Sequence, residues 1–257
     1  MVITSASNAV FKDIMKLKNK KHRDKKGVFT AEGLRFVGEI PEDVFVEEYI
    51  VSEGFGDEDV IRAGVRVYTL AENLFKQLSD TESPQGIIAV CRKKEVDVKE
   101  ALSDQNGLYV IAEQINDPGN LGTIIRTADA FGAKAVVLSK GSVDLYNSKV
   151  LRSTMGSLFH LPVITDADIK ETVDTLKANG IKVYAAHLKG VKTPAQADFK
   201  CGCAFVFGNE ARGLEDETAS LCDEYIKIPM AGKAESLNLS VAASVLMYEC
   251  LRQRTAE

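Results

Sequence analysis

The chain has 257 residues, 45% of them hydrophobic and 27% charged, with a net charge of −5. That length buries one large core or two modest ones, and no apolar run approaches the roughly 20 residues that span a bilayer. The opening stretch MVITSASNAVFKDIMK has no apolar segment of secretory type, and five scattered cysteines (Cys91, Cys201, Cys203, Cys222, Cys250) complete neither a disulfide framework nor a zinc site; no membrane partner and no metal are expected, and the cytoplasm is the expected location.

In chain order, Asn8–Lys18 predicts an amphipathic helix, with Val10, Ile14 and Leu17 at helical spacing. From Lys12 to Lys26 the chain carries eight Lys or Arg against two Asp, a basic stripe on an acidic body. Such a stripe suits contact with a polyanion, and it equally describes a solvated helix with no partner. Short strands are expected at Val28–Ala31, Val44–Val51, Val65–Leu70 and Ile87–Cys91, with helical stretches at Gly33–Ile40 and Ala71–Leu78. This is a small α/β unit over residues 1–92. The charged segment 93–106, with weak periodicity, reads as a linker.

The remainder, 107–257, alternates more cleanly. Strands are expected at Leu108–Ile115, Ala135–Leu138, Phe159–Ile164, Ile181–Ala186, Cys203–Phe207 and Tyr225–Ile228. Helices are expected at Leu121–Phe131 with Asn120 as N-cap, Ser148–Met155, Asp168–Ala178 and Leu239–Arg252. Alternating strands and helices imply a parallel sheet covered on both faces. The last helix contains VAASVLMY, apolar or small almost throughout. A surface helix shows only a stripe, so this one is expected to be buried all round, within its domain or against a second subunit.

No glycine-rich dinucleotide or P-loop signature is present, and the three histidines accompany no nucleophile elbow. Three segments with polar loops at strand ends stand out: NDPGNLGTIIRTADAFG (116–132), FVFGNEARGL (205–214) and IPMAGKAESLNLS (228–240). In the first, Arg126 points nearly opposite the apolar face formed by Leu121, Ile124, Ile125, Ala128 and Phe131. Alone it reads as a solvated arginine, yet it lies on a helix opening at the end of a parallel strand, where such sheets place ligands. Glycine at the end of the second strand lets a ligand approach the backbone or simply makes a turn. Ser236 and Asn238 serve either a site or a helix N-cap. Three such loops on one sheet edge make a composite pocket.

Together these segments resemble the SpoU (TrmH-like) family of RNA ribose methyltransferases, of the SPOUT superfamily: N-x-G-x-x-x-R followed by A-F-G, then G-N-E-x-x-G-L, then I-P-M with S-L-N before the last helix. Residues 143–162 are similar to the family as well. The first half, through ITSASN, the basic helix, Arg23 and GVFTAEG, resembles the family's substrate-binding domain, similar to ribosomal protein L30e. The resemblance implies a parallel-sheet domain whose C-terminal chain forms a trefoil knot, preceded by an L30e-like α/β domain. It implies S-adenosylmethionine as cofactor, contacted by Gly208, Ile228, Met230 and Leu237. It implies Arg126 as the catalytic residue, with Asn120, Glu210, Ser236 and Asn238 shaping the site, in a homodimer. RNA is expected on Lys18, Lys20, Lys21 and Arg23. The expected activity is 2'-O-methylation of ribose, in ribosomal RNA more than transfer RNA. The competing readings are a transfer-RNA ribose methyltransferase and a non-catalytic RNA-binding protein of the same fold.

Overall fold

Short apolar runs near the N-terminus and near-continuous apolar strands further on produce two separate sheets in the computed structural model, which describes Val2–Ala256. One compact unit runs up to Glu95 and includes Tyr146–Phe159; the other comprises Val96–Leu145 and the chain from His160 on.

The first unit contains β1 (Val2–Ile3), α1 (Ala9–Lys16), α2 (Lys20–Lys26), β2 (Val28–Glu32), α3 (Leu34–Gly38), β3 (Val46–Ser52), β4 (Arg66–Leu70), α4 (Glu72–Leu78) and β5 (Ile87–Arg92). Its sheet has the order β1-β4-β3-β5-β2, parallel where β4 pairs with β1 and β3, antiparallel around β5. Asn8 caps α1 by accepting from the amides of Val10 and Phe11. The expected single basic helix is two: α1 stops at Lys16, and Asn19 caps a new start. Gly27, at φ +67°, closes α2 in the left-handed conformation that glycine adopts without a Cβ penalty.

The second unit contains α5 (Val98–Ala101), β6 (Leu108–Ala112), α6 (Pro118–Ala130) and β7 (Ala135–Ser139). The chain then forms α7 (Ser148–Thr154), which packs in the first unit, before β8 (Val163–Ala167), α8 (Ile169–Ala178), β9 (Lys182–Ala186), β10 (Cys203–Phe207), α9 (Asp216–Ser220), β11 (Glu224–Ile226) and α10 (Leu239–Thr255) complete the second. Six strands make an all-parallel sheet in the order β11-β9-β10-β6-β7-β8. β6, β7 and β10 are buried at every position, which is why their sequences show no alternation.

Three features differ from the sequence-based expectation. The segment 93–106 is no free linker: from Val96 it joins the second unit, where Leu102 is buried in the core and its carbonyl accepts from Asn179 Nδ2 at 2.9 Å. Tyr146–Phe159 leaves the C-terminal region for the first unit, because its aromatic residues find partners there. Tyr146 stacks on Phe29 at 4.9 Å and Phe159 on Phe36 at 5.4 Å, with Leu151 buried in that core. Finally, α10 is not buried all round within its own domain. Ala243, Leu246, Met247 and Cys250 are buried, whereas Val241, Val245 and Tyr248 are exposed.

Candidate active site

Because every strand of the second sheet points the same way, the loops after β6, β9, β10 and β11 emerge at one edge. The loop after β6 leads into α6. Its N-cap is Asp117, whose carboxylate accepts from the Asn120 amide at 2.8 Å, with Pro118 in the first turn. Asn120, expected as the cap, instead sits inside the helix and is buried, leaving its side chain free for a different task.

That task joins the three segments. Glu210 accepts from the amides of Asn116 (3.1 Å) and Asp117 (3.0 Å) and from Asn120 Nδ2 (3.2 Å). Asn120 Oδ1 accepts from Asn238 Nδ2 at 3.0 Å and from the Ser240 hydroxyl at 3.3 Å. Asn238 is also the N-cap of α10, accepting from the amides of Ser240 and Val241. Burial pulls the Glu210 carboxyl upward, but the surrounding amide donors outweigh it and hold the group below the usual carboxylate range. The carboxylate is therefore ionised and fixes the loop after β6 to the loop after β10.

The loop after β10 is a tight turn: Asn209 and Gly213 exchange backbone hydrogen bonds at 3.0 and 2.8 Å. A Cβ at Gly208 would lie 2.1 Å from the Leu214 nitrogen, so the turn itself occupies the space that glycine leaves.

Between the ends of β9, β10 and β11 lies a cleft of about 300 Å³. Gly208, Ile228, Met230 and Leu237, the four residues expected at a cofactor, all line it, as do Glu210 and Ser236. Its walls are largely apolar, and its volume lies at the lower end of small-ligand sites. Sequence reasoning missed His187 and Leu188, after β9, and Arg212, which also line it. Burial pulls the His187 imidazole below its usual pKa, and its Nδ1 accepts from the Lys189 amide at 3.1 Å. Asn120 and Asn238 stand behind this cleft through the hydrogen bonds above. Arg126 does not line it; the guanidinium is exposed on the outer face of α6, with no carboxylate partner among the described residues.

The four residues expected to hold RNA divide into two pairs. Lys20 and Lys21 are exposed, Lys20 pairing with Asp24 at 3.5 Å. Lys18 and Arg23 also make contacts within the fold. Lys18 Nζ pairs with Asp80 at 3.0 Å and donates to the carbonyl of Gln77 at 3.1 Å. Arg23 is only 6% exposed, its Nη1 donating to the carbonyls of Leu17 (2.7 Å) and Lys18 (3.0 Å) just beyond the end of α1. A count of charges along the chain does not show that Arg23 is buried while Lys18, Lys20 and Lys21 are exposed. Among the described residues no cluster of acidic, His or Cys side chains fits a metal ion, and no helix is long and apolar enough to cross a membrane.

Known proteins match most of the chain in sequence and in fold. Residues 107–248 match the SpoU rRNA Methylase family, and residues 8–89 match the MRM3-like substrate binding domain. The 23S rRNA (guanosine(2553)-2'-O)-methyltransferase RlmP of Bacillus subtilis is 39% identical over 247 residues, 96% of this chain and 97% of the relative. The AdoMet-bound rRNA methyltransferase of Sinorhizobium meliloti superimposes with a TM-score of 0.89 at 31% identity, covering 100% of this chain and 99% of that one. The SpoU methyltransferase AviRb of Streptomyces viridochromogenes, in complex with AdoMet, gives a TM-score of 0.88 at 29% identity, over 96% and 98% of the two chains. With the motif segments gathered on one sheet edge and most of the chain matched at both levels, this protein belongs to the SpoU rRNA methylase family.

Proposed function

We propose that the chain methylates a ribose 2'-hydroxyl of 23S ribosomal RNA, on a guanosine, using S-adenosylmethionine. The observation that carries this reading is the joining of Glu210, Asn120 and Asn238 beside a cleft lined by Gly208, Ile228, Met230 and Leu237. Apolar walls of that shape suit an adenine ring, and the backbone of the surrounding loops supplies the polar partners.

The cofactor supplies an electrophilic methyl on a sulfonium. The ribose oxygen forms the new O–CH₃ bond as the S–CH₃ bond breaks, and the hydroxyl proton is lost to solvent or to a substrate phosphate. Arginine is a poor base, its pKa lying above about 12. Arg126, with no carboxylate to neutralise it, is a fixed positive charge for the developing oxyanion. Glu210 and Asn120 hold the helix that carries it. Because Arg126 lies outside the cleft of its own chain, the reading includes a homodimer in which a second copy brings it over the cofactor. The first unit grips RNA through the exposed lysines of α2, reading shape or a loop. The reaction belongs to the cytoplasm, where the ribosomal substrate is.

The test is direct. Wild-type protein with tritiated S-adenosylmethionine and 23S RNA leaves one nucleotide whose 3' bond resists alkali, because the 2'-oxygen is blocked. Arg126→Ala is expected to lose transfer by about 100-fold or more, the worth of one transition-state donor, while binding of S-adenosylmethionine by calorimetry persists. Label in an alkali-labile product, or full transfer by the variant, refutes the assignment.

A further inference from the structure

Arg212 is a charge in an unexpected place. It lies on the turn after β10 and lines the cleft, and no carboxylate pairs with it among the described residues. Glu210, on the same turn, is already engaged with Asn116, Asp117 and Asn120. The guanidinium is nevertheless held in direction: its Nη2 donates to Gln114 Oε1 at 2.5 Å, and its backbone amide donates to Asn209 Oδ1 at 3.2 Å.

Gln114 is itself firmly placed. It takes φ +48°, a left-handed conformation uncommon for a residue with a side chain. Two contacts enforce it: its amide donates to Ser139 Oγ at 2.8 Å, and its carbonyl accepts from Asn209 Nδ2 at 2.7 Å. A strained residue over-determined by its surroundings is a mark of a functional position. Here the effect is to aim a neutral amide oxygen at a guanidinium. A carboxylate in the same place would cancel the charge; an amide fixes its direction and leaves the charge, and four of its five N–H donors, for something else.

We infer that Arg212 binds the carboxylate of the methionyl moiety of the cofactor, with Gln114 as its positioning residue. This rests on the cofactor reading above. S-adenosylmethionine carries a sulfonium, an ammonium and a carboxylate; of these, a guanidinium in no ion pair at the cleft attracts only the carboxylate. The anchor therefore sets which way the ligand lies, with its amino-acid end at the turn after β10 and its adenine among Ile226, Ile228 and Leu237.

The experiment is calorimetric titration of the full chain, without RNA, by S-adenosylmethionine and by its decarboxylated analogue, which keeps the sulfonium and the amine. Wild-type protein is expected to prefer S-adenosylmethionine by about 10- to 100-fold, the range of a charge-assisted hydrogen bond. Arg212→Met should lose that preference by weakening S-adenosylmethionine alone, binding the analogue as well as before or better. Gln114→Glu should act the same way, because the new carboxylate neutralises the guanidinium without altering its shape. Arg212→Lys should recover part of the preference, and Lys227→Met, removing another exposed cation of the lining, should leave it intact. Unchanged S-adenosylmethionine affinity in Arg212→Met overturns the assignment, as does a parallel loss for both ligands, or transfer of the effect to Lys227. Wild-type protein that binds neither ligand removes the cofactor reading, and this inference with it.

Discussion

Glu210 ties two loops together through three donors, and its ionisation is what those donors require. Its folded pKa lies below that of a free glutamate, so the carboxylate contributes stability above the unfolded value of about 4.3 and loses it as pH falls through the folded value. Affinity for S-adenosylmethionine is therefore expected to hold from pH 7 down to the free-glutamate range of about 4.3, and to fall only as pH drops further through the lowered folded value and the loops part. Glu210→Gln should bind more weakly at pH 7, because a neutral amide accepts less strongly and offers donors to donors, and should show a flatter acid limb. A titration of cofactor affinity against pH for both proteins checks this; identical curves would mean that another group governs the loops. Glu210, Asn120 and Asn238 were named from the sequence only through the family resemblance of the segments that carry them; turn chemistry alone left Asn120 and Asn238 as helix caps. Arg212, His187 and Leu188 were not named: their roles depend on which loops the strand order brings together, and β9 lies beside β10 and β11 only in the folded sheet.

The same division appears among the elements. Apolar runs located β6, β7 and β10 to within a residue or three, since buried parallel strands need no alternation to be seen. The basic stripe was visible as composition, but composition does not say which cations face inward. Its break into α1 and α2 turns Arg23 back towards the carbonyls that follow α1. Two kinds of variant should therefore separate. Replacing Lys20 and Lys21 by Gln is expected to leave thermal stability nearly unchanged, and to lower the slope of log affinity for RNA against log salt by up to about two, one for each phosphate no longer neutralised. Arg23→Gln is expected to cost about 1–3 kcal/mol, since it removes a buried charged donor from two carbonyls, and to weaken RNA binding only as the first unit unfolds. Thermal melts alongside filter binding at several salt concentrations distinguish them. An Arg23 variant that melts like wild type yet loses RNA affinity would return that residue to the RNA surface.

For the molecule as a whole, the informative surface is on α10. Its inner residues pack with α6 and β10, Ser244 donating to Thr127 at 3.3 Å, while the exposed Tyr248 touches Phe131 at the edge of that contact, 5.8 Å between ring centroids. Its outer side presents Val241, Val245 and Tyr248, 46%, 38% and 56% exposed, at the three-and-four spacing of one helical stripe. Scattered apolar side chains on a surface mean little, but an ordered stripe on a helix already apolar on its inner side is where the proposed second copy is expected to sit. Arg126 adds a reason for the partner to be a second copy, because it lies on α6 and outside the cleft of its own chain. Sedimentation equilibrium at micromolar concentration is expected to give twice the 28.0 kDa chain mass. Val245→Arg places a charge at the centre of the stripe without disturbing a buried contact, and should yield a folded monomer. That monomer is expected to keep much of its affinity for S-adenosylmethionine, whose cleft is built from one chain, and to lose methyl transfer, which needs the arginine of the other. A variant that stays dimeric would place the interface elsewhere. A true monomer with full transfer would mean that Arg126 reaches the reacting oxygen within its own chain, or that the reaction proceeds without it.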